Sequence, residues 1–307
     1  MGIIPQFPNF KPVVLDMKDE LGKFCHSLEC GISEFSFVNL FIDSIKYTYK
    51  ISCVSENSIV IVGVHPERHF SNYDLSGDFF SVLGELPTQE ILLQLFRHFK
   101  YWKNMSEEIF LNYGTVLGQK GLIILEDRDN FDYLYSRTEL AMLQGKNFHK
   151  KKNLVNAFKS NYETQVKTLD VYSLADAYSV LESWKLSRTQ DSLADYYQCK
   201  KALDLFDKLP LAGVVVYADG IPVGFSLGEY ILNEEMFVVM FEKGINSYKG
   251  VYQFVNQAQA LALLPSTKYI NREQDLGDTG LRQAKMTYRP CGFTKKYLAL
   301  PLSMSRQ

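Results

Sequence analysis

Cysteine is scarce in this sequence and follows no pairing pattern. Five occur among 307 residues, at Cys25, Cys30, Cys53, Cys199 and Cys291, an odd number without a CxxC spacing. That argues against a disulfide framework or a zinc ribbon and for reduced, mostly buried thiols in a cytoplasmic protein. Histidine is as thinly spread, at positions 26, 65, 69, 98 and 149. His65 and His69 stand four apart, but Pro66 bars the helix that would bring both to one ion, so no metal site is expected. GxSxG is absent, which removes the common serine-nucleophile signature. Charge of one sign is lacking too. The formal net charge is −2, so any polyanion must be met by a local patch rather than by a basic field over the whole protein. Apolar runs such as 59–64 are strand-sized, too short to cross a bilayer, and no transmembrane segment is expected. The first residues, Met1 to Gln6, lack the basic region and apolar run of a secretory signal, and Gln6 stands where a myristoylation site needs Ser or Thr.

What is present suits two packed domains of about 150 residues each, since 46% of the chain is hydrophobic. Residues from about Met17 to Lys46 read as helical, with Phe35, Val38, Phe41, Ile42 and Ile45 at helical spacing. Tyr47 to Val54 and Ser58 to Val64 read as strands around a turn at Glu56-Asn57. Thr88 is the expected N-cap of a helix carrying Ile91, Leu92, Leu95, Phe96 and Phe99. Glu107 to Leu111 and Gly121 to Glu126 read as further strands. A basic connector, Gly145 to Asn153, follows, and then the order begins again. Leu174, Ala177, Tyr178, Leu181 and Trp184 form a helical stripe, and a second helix is expected from about Asp195 to Lys208. Strands Ala212 to Ala218 and Ile221 to Tyr230 meet across Asp219-Gly220, a hairpin signal. Met236 to Glu242 is a strand. Val251, Phe254, Val255, Ala258, Leu261 and Ala262 mark a long amphipathic helix stopped by Pro265. A strand at Tyr269 to Glu273, a helix at Leu281 to Tyr288 and a last strand at Phe293 to Leu300 complete the order. Domains are expected at 1–145 and 146–307.

Two local patterns carry a resemblance. The stretch from Ala284 through Tyr288 to Gly292-Phe293 resembles the ending of a GNAT (acyl-CoA N-acyltransferase-like) fold, and Tyr217 to Phe225 resembles its central hairpin. Lys150-Lys151-Lys152-Asn153, Tyr248 to Gln253, and Tyr269 through Gly277 to Arg282, Lys285 and Tyr288 resemble the family of the phosphatidylglycerol lysyltransferase C-terminal domain. That resemblance implies an α/β (α+β) protein of two tandem GNAT-like domains, each a mixed, mostly antiparallel sheet flanked by helices. It also implies an acyltransferase whose characterised relatives move an aminoacyl group from a charged tRNA to a lipid hydroxyl. The multi-span membrane portion of the full-length lipid enzyme is not among these residues, which leaves the acceptor open.

The candidate chemistry follows from the residues. Tyr248-Lys249-Gly250-Val251-Tyr252 opens the long helix, where free N–H groups can hold donor phosphates. Lys249 adds a charge, and Gly250 lets the backbone approach. Tyr252 stands where GNAT loops carry a second Gly, and Leu281 where they often carry Asn. Both departures weigh against coenzyme A and toward a larger donor such as an aminoacyl-tRNA. Tyr288 occupies the position from which a GNAT tyrosine protonates the leaving group; the alternative is a core tyrosine with its hydroxyl tied down. Asn271, Arg272, Glu273 and Asp275 crowd one strand end. Glu273 or Asp275 is a candidate general base, and Asn271, Arg272, Arg282 and Lys285 candidate acceptor contacts; the alternative is a structural ion-pair cluster. Lys150, Lys151, Lys152 and Asn153 are the candidate contact for tRNA or an anionic membrane surface, against a solvated linker. The leading expectation is aminoacyl or other acyl transfer. The alternatives are a coenzyme A-dependent N-acetyltransferase and a non-catalytic GNAT-like binding module.

Overall fold

The computed structural model describes residues 2–70, 73–187 and 195–305. Two compact units result, one of residues 1–131 with 294–307, the other of residues 132–293. In chain order the first carries β1 (Lys11–Pro12), α1 (Lys18–Ser27), α2 (Phe37–Tyr47), β2 (Lys50–Ser55), β3 (Ser58–His65), β4 (His69–Phe70), β5 (Tyr73–Asp74), β6 (Gly77–Gly84), α3 (Gln89–His98), β7 (Tyr101–Ser106), α4 (Glu107–Gln119) and β8 (Leu122–Glu126). The second carries β9 (Asp132–Ser136), α5 (Arg137–Met142), α6 (His149–Asn161), β10 (Thr164–Thr168), α7 (Leu174–Leu186), α8 (Tyr196–Asp204), β11 (Leu211–Ala218), β12 (Ile221–Ile231), β13 (Met236–Gly244), α9 (Val251–Ala262), β14 (Tyr269–Asn271), α10 (Thr279–Met286) and β15 (Gly292–Thr294). The chain then returns to the first unit as β16 (Lys296–Pro301).

Each unit is built on a seven-stranded sheet, ordered β1-β2-β3-β6-β7-β16-β8 and β10-β11-β12-β13-β14-β9-β15. Antiparallel pairs dominate, and each sheet contains a parallel step, β6 with β7 and β13 with β14. These are mixed sheets flanked by helices, in the GNAT-like class expected from the resemblance.

The second unit shows why its elements form. Asp219 and Gly220 both take left-handed backbone (φ 51° and 78°), which a two-residue turn needs to match the twist of β11 and β12. α9 buries Val251, Phe254, Val255 and Ala258 against β11, β12 and β13, and Phe254 stacks on Phe158 of α6 at 4.8 Å. Removing such a ring costs about 3–5 kcal/mol.

Four expectations are corrected. Glu107 to Leu111 is not a strand but the start of α4. The Ser106 hydroxyl accepts the Ile109 N–H at 3.2 Å, and Glu107 and Glu108 sit in the first turn, where the helix dipole favours carboxylates. The basic connector is not a linker, since His149 to Asn161 form α6, anchored by buried Val155 and Phe158. The strand expected at Phe293 to Leu300 is two strands in different sheets. The compact units therefore do not divide at 145/146. Residues 132–136 pair with β14 in the second sheet, and 296–301 pair with β7 and β8 in the first.

Candidate active site

The parallel pairing of β13 with β14 stops at Val238 and Asn271. Past that point a polar group gathers from β13, β14, α6, α9 and the segment after α10. Arg272 Nη2 donates to Glu242 Oε1 at 3.0 Å, with the two side chains only 14% and 11% exposed. The other oxygen, Glu242 Oε2, is buried and has no hydrogen-bond partner among the described residues. Tyr288 is buried, and its hydroxyl has Arg272 and Gln253 as polar neighbours. Lys151 Nζ lies 3.9 Å from the centre of the Tyr288 ring, and the Arg272 guanidinium 5.1 Å from it.

The electrostatics follow from burial. Burial pushes the Tyr288 hydroxyl up to about 12, with Arg272 opposing, so at neutral pH it holds its proton. Burial works against the Arg272 charge, but Glu242 and Tyr288 more than offset it. The Lys151 ammonium is lowered by burial and then by Arg272, while Glu242 opposes. The arrangement thus offers a neutral acid, a carboxylate oxygen with unused capacity, the largely buried Arg272 guanidinium and the half-buried Lys151 ammonium, in a setting where burial strengthens such interactions.

A second cluster adjoins it and is structural in character. Asp275 is fully buried. It accepts the Tyr133 hydroxyl at 2.6 Å, Arg282 Nε at 2.8 Å, Arg282 Nη2 at 2.7 Å and the Gly277 N–H at 2.9 Å. Burial would raise its carboxyl, but these donors outweigh it and hold it at about 2. Asn271 is buried as well, donating to Asp132 Oδ2 at 3.2 Å and accepting the Glu273 N–H at 2.8 Å. Glu273 takes left-handed backbone (φ 54°), and its carbonyl accepts Tyr133 N–H and Lys285 Nζ. Lys285 Nζ also donates to the carbonyls of Arg272 (2.7 Å) and Gln274, tying down the loop after β14. Burial lowers this ammonium to about 8, Arg272 adding and Glu273 opposing. Tyr135 donates to the Lys285 carbonyl at 2.9 Å.

The structure therefore sorts the sequence candidates. Arg272 and Tyr288 come together, joined by Lys151 from the basic run. Asn271, Asp275, Arg282 and Lys285 form the scaffold beside them. Lys150, Lys152 and Asn153 remain exposed on α6, and Lys146, His149 and Lys152 line an open hollow of about 460 Å³ with Leu143 and Gly145. Lys249 is exposed. Gly250 has φ 92°, and a Cβ there would stand 2.5 Å from the Leu154 carbonyl oxygen, so its small size serves the approach of α6. Val251 is buried, and Tyr252 donates to the Gly244 carbonyl at 3.0 Å. Glu242 and Gln253 were not among the sequence candidates. The only signal for Glu242 was a carboxylate closing an otherwise apolar strand.

Two mixed sheets flanked by helices, each containing a parallel step, belong to the GNAT-like class. Residues 92–300 match the family described as phosphatidylglycerol lysyltransferase, C-terminal, and the chain belongs to that family. A conserved protein of unknown function from Bacteroides thetaiotaomicron is similar in structure, at 25% identity and a TM-score of 0.83 over 95% of this chain and 99% of that one. The L-PGS of Bacillus licheniformis has a TM-score of 0.60 at 12% identity, over 100% of this chain and 95% of that one, which speaks to the fold. An uncharacterized protein of Mycoplasmoides gallisepticum is 29% identical over 185 residues, 57% of this chain and 57% of its own length. Among the described residues no helix is long and apolar enough to cross a membrane.

Proposed function

We propose that this chain is a cytoplasmic aminoacyltransferase that takes an aminoacyl group from a charged tRNA and passes it to a hydroxyl or amine acceptor. The observation that carries the reading is Glu242 Oε2, buried and unpartnered beside a neutral Tyr288 hydroxyl. An aminoacyl donor, unlike a simple acyl donor, brings an ammonium group, and the unused carboxylate oxygen is a partner for it. The acceptor's oxygen or nitrogen attacks the ester carbonyl and a new acyl bond forms. The bond to the ribose oxygen breaks, and Tyr288 gives its proton to that oxygen; the acceptor's proton returns to the tyrosinate by way of solvent. Arg272 and Lys151 stabilise the negative charge that passes through the carbonyl and the phenolate. Exposed Lys146, Lys150 and Lys152 supply the contact for tRNA phosphates.

The packing of α6 against Gly250 supports the larger donor over coenzyme A, because it occupies ground from which a pyrophosphate would approach the start of α9. Replacing Tyr288 by Phe tests the chemistry. Transfer from a radiolabelled charged tRNA is expected to fall about a hundredfold to ten-thousandfold, with tRNA affinity unchanged. Undiminished transfer in Tyr288→Phe would remove the acid assigned here. Absence of any charged-tRNA complex would favour the non-catalytic module.

A further inference from the structure

The first unit has a cavity of its own, at the place in its sheet where the second unit carries the candidate active site. β6 and β7 run parallel and pair at Phe79 with Tyr101 and at Phe80 with Trp102. Past that point each strand keeps its outer neighbour, β6 with β3 as far as Gly84 and β7 with β16 as far as Ser106. The two strands therefore part from each other, and the Ser81 hydroxyl reaches across to the Lys103 carbonyl at 2.7 Å. β13 and β14 likewise pair no further than Val238 and Asn271. Open α/β sheets take their ligands at the carboxyl ends of strands that part. Here the gap opens into a hollow of about 350 Å³. Val82, Gly84 and Glu85 line one side, Ser106, Glu108 and Ile109 the other, and the end of α1 and the β2–β3 turn complete it.

Floor and rim differ in kind. Phe24, Leu28, Phe35, Val82 and Ile109 make the floor apolar, the last three of them buried. Glu29, Glu56, Glu85 and Glu108 stand at the rim, all exposed. Among the described residues no Lys, Arg or His lines the hollow. Glu85 Oε1 accepts from Asn57 Nδ2 at 3.0 Å. Glu29, Glu56 and Glu108 have no ion-pair partner among the described residues, whereas neighbouring Glu107 is held by Lys295 at 2.7 Å. One exposed carboxylate holds a cation weakly. Several of one sign around a hollow with apolar walls focus their field into it and concentrate cations there. Among the described residues no three Asp, Glu, His or Cys side chains stand close enough to hold one metal ion. Carboxylates spread over the rim in this way suit a cation whose charge is spread as well.

We infer that this hollow is a binding site for a linear aliphatic polyamine. Its methylene stem lies on the apolar floor, and its ammonium groups meet Glu29, Glu56 and Glu108 at the rim. An apolar stem that carries charge at separated points matches both surfaces at once. The inference stands on the first unit alone and is independent of the aminoacyltransferase reading.

Isothermal titration calorimetry of the full chain with spermidine, at constant ionic strength, tests it. Saturable one-to-one binding is expected. Hexaamminecobalt, a trication without a stem, and octanediol, a stem without charge, should each bind at least about tenfold more weakly. Glu29→Gln, Glu56→Gln and Glu108→Gln are exposed changes that keep side-chain size and leave the core untouched. Together they should weaken spermidine binding about tenfold to a hundredfold, at about twofold to fivefold for each exposed pair. The same charge removed from exposed positions of the second unit, by Glu139→Gln, Glu163→Gln and Asp207→Asn, should change the affinity less than about twofold. No saturable spermidine binding overturns the site. So does a loss no larger in the first triple variant than in the second, or an affinity for hexaamminecobalt or octanediol that matches that for spermidine.

Discussion

Asp275→Asn is the sharpest test of how the loop beside the candidate active site is held. The carboxylate is fully buried and accepts four hydrogen bonds, two of them from Arg282. Those donors lower it from 3.8 to about 2. A gap of about two pH units corresponds to about 2.5 kcal/mol. Arg282 is 34% exposed, so solvent screening trims this to about 2 kcal/mol. The sign is that of a depressed carboxyl. Its contribution is complete above the unfolded value near 4 and is lost as pH falls through about 2. Asn at this position cannot titrate. The stability difference between wild type and Asp275→Asn should therefore shrink by about 2 kcal/mol between about pH 5 and about pH 2. Urea unfolding read by Trp184 fluorescence measures it. The chain has two tryptophans, and Trp102 lies in the first unit, so a Trp102→Phe background isolates the second. A difference that stays constant over that range would refute the reasoning.

Other consequences follow from the same packing. Gly250→Ala puts a Cβ 2.5 Å from the Leu154 carbonyl at φ 92° and should cost about 1–3 kcal/mol in urea denaturation; a neutral result would mean that α6 does not press on α9. Glu242→Gln leaves the largely buried Arg272 without its counter-charge and should cost about 3–5 kcal/mol, whereas Lys150→Ala on the exposed face of α6 should cost under about 0.5 kcal/mol. Phe254→Ala should lower stability by about 3–5 kcal/mol, and a thermal midpoint close to wild type would contradict the core described for the second unit.

Locally specified features were legible in the sequence. Asp219-Gly220 needs left-handed backbone and announces a hairpin, and the apolar spacing from Val251 to Ala262 announces α9. Thr88 was legible as a cap, and its hydroxyl accepts the Ile91 N–H. The dense run Ile109-Phe110-Leu111 hid α4, because a short apolar stretch fits a strand as well as a buried helix face. Ser106 followed by two glutamates was the signal that could have decided it. Strand β9, in Asp132–Ser136, alternates Tyr133 and Tyr135 with Asp132 and Leu134 and went unread. Its pairing with β14, and that of β16 with β7, link residues more than 130 positions apart, and no local pattern encodes such partners. The candidate site was legible in part for the same reason. Tyr288 and Arg272 stood out by motif. Lys151 read as one of four candidate polyanion contacts because only the docking of α6 turns it toward Tyr288, and Glu242 acquires meaning only when Arg272 is set against it.

The central claim is that the second unit takes a charged tRNA as its donor. Native mass spectrometry of the full chain against charged tRNAs and a panel of coenzyme A thioesters tests it most directly. A charged-tRNA complex that weakens strongly when Lys150 and Lys152 are both replaced by Ala is the predicted result. A coenzyme A adduct with no tRNA complex would contradict the claim and make the protein an acetyltransferase relative.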